Sequence, residues 1–339
     1  MRFDELQALR RGQIGASPPL LDAAETNVYR TLAALRPEPP RDTSGTTVHR
    51  CDLARTWLRH FELPAELAAQ AVISRGVRHG LGMVFQWLSA LHPRLWLPSD
   101  VYPVYFDLAQ AAGISPATYP TLPKPTLPCT TPDSSPEYLL LTNPSKPLGR
   151  HLSDAECTAV IAWLQESPNR RLLIDTVYDL GVPFAAGTRR LLGTGRAVIL
   201  HSVTKGWLWP RTFGVVLLGP EDTELADTLR ADPPSPAQLR LAEHLLTEHD
   251  STPQRVVTAL AARAHRLFER LPEEVLAAIP PVTRTYPGNY FFPVEIPAET
   301  LRHEYRILAM PISVFGENNW PGSVLTSLAV TFDSESAAA

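Results

Sequence analysis

The feature that most constrains this chain is a regular alternation of short apolar runs with helix-length segments between residues 137 and 219. YLLLT (138–142), RLLID (171–175), AVILHS (197–202) and FGVVLLG (213–219) are apolar at successive positions. Strands buried on both faces of a parallel sheet read this way. Between the first two lies HLSDAECTAVIAWLQES (151–167), a helix whose start is marked by Ser153 and, three residues later, Glu156; that pair forms a capping box. Upstream, LARTWLRHF, RHGLGMVFQWLSAL and YPVYFDLAQAAG have helical spacing, and LWLP (95–98) is a short strand. The alternation predicts an α/β fold: a large domain with a mostly parallel sheet flanked by helices.

After about residue 220 the texture changes. TELADTLRA, PAQLRLAEHLLTEH and PQRVVTALAARAHRLFERL are helical, and YFFPVEI, YRILAMP and VLTSLAVTF are strand-like. A smaller α+β C-terminal domain is expected. The reading divides the chain into an N-terminal segment (1–45) of irregular pattern set against the small domain, a large domain (46–235), a small domain (236–332) and a frayed tail (333–339). RPEPPRDTSGTT (36–47) reads as a linker or long loop, and the proline-rich TLPKPTLPCTTPDSSP (121–136) as a crossing that runs over the surface or beside a site.

Composition excludes several classes. The formal net charge is −4, with no basic cluster to bind nucleic acid. No apolar run approaches the ~18 residues of a membrane span, and MRFDELQALRRGQ lacks the apolar core of a secretory signal. The three cysteines, Cys51, Cys129 and Cys157, are isolated and lack metal-ligand spacing. A cytoplasmic protein without metal is expected. Of 31 basic residues only Lys124, Lys146 and Lys205 are lysines. Each of these invites the question of what arginine could not do there.

In open α/β sheets ligands gather at the carboxyl ends of the strands. Asp175 closes one run, with Tyr178 three residues on. His201, Ser202, Thr204 and Lys205 follow another, and Asn143 a third. An amine, a carboxylate and hydroxyl donors on one edge suit an aldehyde cofactor that forms an imine and stores electrons in a ring.

The order NPSKPLG, LLIDTVYD, SVTK (starting at 143, 172 and 202) resembles the class I/II pyridoxal phosphate-dependent aminotransferases, of the aspartate aminotransferase-like type I fold. VISRGVRHGL (72–81) is similar to that family's phosphate turn, and DVYPVYFDLAQAAG (100–113) to the segment whose aromatic residue stacks on the ring. RILAMPISVFGENNWPGSVLTSLAV (306–330) is similar to its small-domain segment. The resemblance implies pyridoxal 5′-phosphate as cofactor and Lys205 as the imine-forming lysine and proton shuttle. It implies Asp175 at the pyridine nitrogen, Tyr178 at the ring oxygen, Tyr102 on the ring face and Asn143 beside it. Ser202, Thr204 and the backbone of Gly76 and Val77 would hold the phosphate. It further implies a homodimer acting on a small amino-acid-like molecule, with a tyrosine and an arginine from the neighbour reaching the phosphate; Tyr29 is a candidate for that tyrosine.

Four positions depart from the family pattern. Lys146 stands where relatives carry a second asparagine; either its ammonium meets the ring oxygen, or it faces solvent and that contact is lost. Phe213 occupies the place of the phosphate arginine, which Arg211 fills only if the GWLWP loop is shortened. Val77 replaces a small hydroxyl residue, with Arg75 and Arg78 flanking the turn. Leu325 stands where an arginine binds the substrate carboxylate. There, Arg284 or Arg306 moves in, or the substrate lacks that carboxylate, or the alignment is offset. Three readings follow: an aminotransferase, which leads; a pyridoxal phosphate lyase, cyclase, substitution enzyme or oxidase of specialised metabolism on an atypical substrate; and a non-catalytic relative.

Overall fold

A computed structural model describes residues 3–13, 20–40, 47–129, 135–182, 184–210, 213–316 and 320–329. Its centre is a sheet of seven strands: β1 (Ala71–Ser74), β2 (Arg94–Pro98), β3 (Ala117–Tyr119), β4 (Glu137–Thr142), β5 (Arg170–Asp175), β6 (Ala197–Ser202) and β7 (Gly214–Leu217). Their spatial order is β1-β7-β6-β5-β4-β2-β3. The five strands from β6 to β3 run parallel, and β7 is antiparallel to both its neighbours. The mostly parallel sheet expected from the alternation is present.

Both faces of the sheet are covered, which explains the unbroken apolar runs. Leu139, Leu141, Leu172, Ile174 and Ile199 face one way, onto helices Arg50–His60, Asp154–Gln165 and Pro236–Glu248. Leu140, Leu173, Val198 and Leu200 face the other, onto helices Val77–Ser89, Val104–Ala111 and Thr223–Ala231. The residues alternate with the period of two that a strand imposes. The capping box forms as read: Ser153 Oγ accepts from Glu156 N, and Glu156 returns a carboxylate to Ser153 N.

A second, three-stranded antiparallel sheet is built from β8 (Phe291–Val294), β9 (Met310–Pro311) and β10 (Ser323–Thr326), with β10 in the middle. Its core joins Phe292, Val294 and Leu325 to Leu267, Val275 and Leu301. The N-terminal stretch ties into this body. Leu21–Asp22 pairs in parallel with Ile307–Leu308, and Thr326 N donates to the Ala23 carbonyl at 2.8 Å.

Two features differ from the sequence reading. The irregular N-terminus holds a helix, Phe3–Gln13, with acids in its first turn and Arg10 and Arg11 in its last, an order that suits the helix dipole. Its fit depends on the distant small sheet, where Leu6 packs with Met310 and Val324. Helix Pro236–Glu248, assigned above to the small domain, lies on the large sheet: its Leu239, Ala242 and Leu245 pack with Trp57 and Trp207. Residues 330–339, including the tail, lie outside the described residues. No described helix is long and apolar enough to cross a membrane.

Candidate active site

Register brings the strand ends into line. Thr142 of β4 lies opposite Asp175 of β5, and Asp175 opposite Leu200 of β6. Because β7 runs the other way, its first residue, Gly214, sits between Ser74 of β1 and Ser202 of β6. At this edge opens a cavity of about 1500 Å³, closed on the far side by the small sheet and the N-terminal segment. Lys205, Asp175, Tyr178, Lys146, Tyr102, Ser202, Thr204, Gly76 and Val77 all line it.

Asp175 is buried and accepts from Val177 N at 2.9 Å and from the Tyr105 hydroxyl at 2.7 Å. Burial pushes its pKa up to about 6, against those two donors and the Lys205 ammonium. Lys205 Nζ stands 4.4 Å from the ring centre of Tyr29 and 5.3 Å from that of Tyr178. Burial opposes its charge, and the Tyr178 and Tyr29 hydroxyls outweigh burial, so its pKa is raised. Tyr29, a candidate for reaching a neighbouring subunit, thus meets the lysine of its own chain.

The turn read in the sequence as a phosphate cradle is built around Gly76. Gly76 adopts φ +114°, a region open to glycine, and precedes helix Val77–Ser89, whose N-terminus has no side-chain cap. Val77, Arg78 and His79 of its first turn line the cavity together with Ser202 and Thr204, which hydrogen-bond each other at 3.1 Å. An uncapped helix N-terminus flanked by hydroxyls is suited to an anion. Gly214 is required here as well: a Cβ would stand 2.8 Å from Gly76 Cα and 2.7 Å from the His201 carbonyl.

Other residues singled out in the sequence lie elsewhere. The Asn143 side chain is turned away from the cavity: its amide donates to Thr188 Oγ1 at 3.0 Å, and its oxygen accepts from Leu152 N at 2.9 Å. Leu325 is fully buried in the small-sheet core, where an arginine would have no water or acid to meet. Arg284 and Arg306 do not line the cavity; Arg306 is exposed, and its carbonyl accepts from Leu21 N. Phe213 is a core residue, and Arg211 lies outside the described residues. His201 faces the opposite side of the sheet, where Trp57 Nε1 donates to its Nδ1 at 3.1 Å and burial lowers its pKa to about 3.

Lys146 faces the cavity, not solvent. Its Nζ is enclosed by the rings of Tyr290, Phe291 and Tyr178 at 4.4 to 4.7 Å. Burial and the Lys205 ammonium hold its pKa well below the usual lysine value. Several contributors were missed in the sequence. Tyr105 lies one helical turn beyond Tyr102, a spacing that could have signalled it. Arg10, Arg11, Asp22, Glu25 and Arg30 reach the cavity from the N-terminal segment. Arg10 is bound to Asp22 at 2.6 Å and Glu25 at 3.1 Å. The small-sheet wall consists of Phe291, Leu308, Met310, Val314 and Phe315.

One cavity thus gathers an amine, a buried carboxylate, aromatic rings and an uncapped helix start. The family model for aminotransferase class I and II matches residues 41–335, and the chain belongs to that family. Membership implies an aminotransferase-like enzyme dependent on pyridoxal phosphate. Solved structures carry the same fold. The substrate-bound BacF structure from Bacillus subtilis aligns with a TM-score of 0.68 at 14% identity, over 99% of this chain and 93% of that one. Tyrosine aminotransferase from Leishmania infantum gives 0.67 at 16%, over 91% and 87%. YbdL from Escherichia coli, identified with a methionine aminotransferase function, gives 0.65 at 16%, over 97% and 93%. No curated protein matches the sequence at a significant level.

Proposed function

We propose that the cavity holds pyridoxal 5′-phosphate and that the enzyme moves an amino group between an amino-acid donor and a keto-acid acceptor. The observation that carries this reading is the shared cavity of Lys205 and Asp175, set beside the uncapped helix start at Gly76. The donor set fits the cofactor: hydroxyls and N–H groups for a phosphate, a carboxylate for a ring nitrogen, a tyrosine for a ring face. When bound, the cofactor supplies a carbonyl that accepts amines and a ring that takes up electrons.

The chain's own groups would do the rest. Asp175, whose pKa of about 6 leaves it largely ionised at neutral pH, would pair with the protonated ring nitrogen. The Lys205 amine provides covalent attachment, which a guanidinium cannot, and then moves protons at the reacting carbon. Tyr178, which lines the cavity, would donate to the ring oxygen. Val77, Arg78, Ser202 and Thr204 would hold the phosphate, with the Arg78 side chain as a local cation. With Leu325 in the core, substrate carboxylate recognition falls to Arg11 and Arg30 of the N-terminal segment, which line the cavity. The reading includes a homodimer, as the family resemblance implies, in the cytoplasm and with a biosynthetic role; a monomer in sedimentation at micromolar concentration would remove the dimer.

The test is a half-reaction. The protein loaded with pyridoxal phosphate is mixed with a panel of amino acids and amines, and formation of pyridoxamine phosphate is measured. At least one donor is expected to convert the cofactor stoichiometrically. Product release with no pyridoxamine phosphate from any donor would overturn transamination.

A further inference from the structure

The chain has three lysines, and two share one cavity. Lys146 Nζ lies 4.7 Å from the centre of the Tyr178 ring, and Lys205 Nζ lies 5.3 Å from the same centre. Lys146 is 9% exposed. Its nitrogen donates to Asn289 Oδ1 at 3.3 Å. That oxygen is fixed in place, since the Asn289 amide donates to the carbonyls of Phe291 at 2.6 Å and Thr283 at 3.0 Å. Among the described residues no acid offsets a charge on Lys146, and Lys205 repels one.

Two effects compete for the state of this amine. Each of the three aromatic faces attracts a desolvated cation, by up to about 2 kcal/mol. Against that stand the removal of an ammonium from water, which costs several kcal/mol without a counter-ion, and the repulsion of a second cation. Without an acid beside it the charged form is disfavoured, and Lys146 holds a larger share of neutral amine than an exposed lysine does at the same pH. With one N–H committed to Asn289, its lone pair is available to the cavity.

We propose that Lys146 is a second carbonyl-reactive amine of this cavity, forming imines with aldehydes and keto groups that enter it. The lone pair attacks the carbonyl carbon, a carbon–nitrogen double bond forms, and one water leaves with the carbonyl oxygen and two amine protons. The titratable groups that face it are Lys205, Tyr178, Tyr290 and His151. The proposal stands on this cage and does not require the cofactor reading above.

The third lysine, exposed Lys124, is an internal reference. Full-length cofactor-free protein is treated with formaldehyde and cyanoborohydride from pH 6 to pH 9, and methylation at each lysine is followed by mass spectrometry. Lys124, far below its pKa, is expected to react about tenfold faster per pH unit; Lys146, with its pKa lowered, is expected to rise clearly less steeply and to level off within the range. A Lys146 rate that tracks Lys124, or no label on Lys146, overturns the proposal. In a second arm, Lys205→Ala is given pyridoxal phosphate and then borohydride. One phosphopyridoxyl group per chain is expected on Lys146, lost in Lys205→Ala/Lys146→Met. Label on Lys124 alone, with a formaldehyde profile at Lys146 that levels off, would leave the lysine's reactivity standing and count against the cofactor site.

Discussion

The hydroxyl of Tyr105 donates to Asp175 Oδ2 at 2.7 Å inside a site where both side chains are buried. This bond does not remove the cost of the buried carboxylate. Burial still carries the Asp175 pKa to about 6, and in return raises that of Tyr105 well above its usual value. The site therefore holds its acid at the expense of the fold.

The sign of that cost is testable. Between the unfolded pKa near 4 and the folded value of about 6, the folded chain binds more protons at Asp175 than the unfolded one. Stability from this group is thus highest below pH 4, declines as pH rises to 6, and stays reduced above it. The full difference is about 3 kcal/mol. In the cofactor-free protein, Asp175→Asn is expected to gain stability relative to wild type as pH rises from 4 to 7, by up to that amount, while losing transaminase turnover. Denaturant unfolding at the two pH values measures it, and a constant difference would contradict the assignment.

Lys146 carries the opposite titration. Its folded pKa is lowered, so the unfolded chain binds the extra proton and stability rises as pH increases toward the ordinary lysine value. Lys146→Met places a polarisable apolar side chain among three rings. The variant is expected to be more stable than wild type at pH 7, with the gain shrinking toward pH 10. Urea midpoints at pH 7 and pH 9.5 decide the matter.

Gly214→Ala inserts a methyl group against the backbone of Gly76 and His201. Neither contact is a flexible side-chain end, so the turn must shift. A destabilisation of about 1–3 kcal/mol is expected, together with at least tenfold weaker pyridoxal phosphate binding, measured by equilibrium dialysis. Unchanged affinity would separate this turn from the cofactor phosphate.

Arg10 joins helix Phe3–Gln13 to Asp22 and to Glu25, whose side chain is 7% exposed. Arg10→Ala leaves Glu25 without its cation. Discounted for exposure to the cavity, a loss of about 1–3 kcal/mol is expected. It is expected to be local: hydrogen exchange of the Phe3–Gln13 amides quickens while that of β5 does not.

Asp175, Tyr178, Ser202, Thr204 and Lys205 were legible because each follows an apolar strand, and parallel strands bring their carboxyl ends to one edge. The rest depends on contacts between distant segments. Nothing near Lys146 announces a cage completed by Tyr290 and Phe291, which lie more than 140 residues away. The N-terminal helix has little local pattern, and its place is set by Leu6 against Met310 and Val324. Asn143 was read by motif alone, and the motif does not say that Thr188 and Leu152 take its side chain. Strand β1 escaped notice since its four residues run straight into the phosphate turn.

The central claim is that Lys205 holds the cofactor carbonyl in this cavity. Wild-type protein incubated with pyridoxal 5′-phosphate, reduced with borohydride and digested is expected to carry the phosphopyridoxyl group on Lys205, one per chain. A chain labelled on Lys146 or Lys124 in place of Lys205, or not labelled at all, would contradict it.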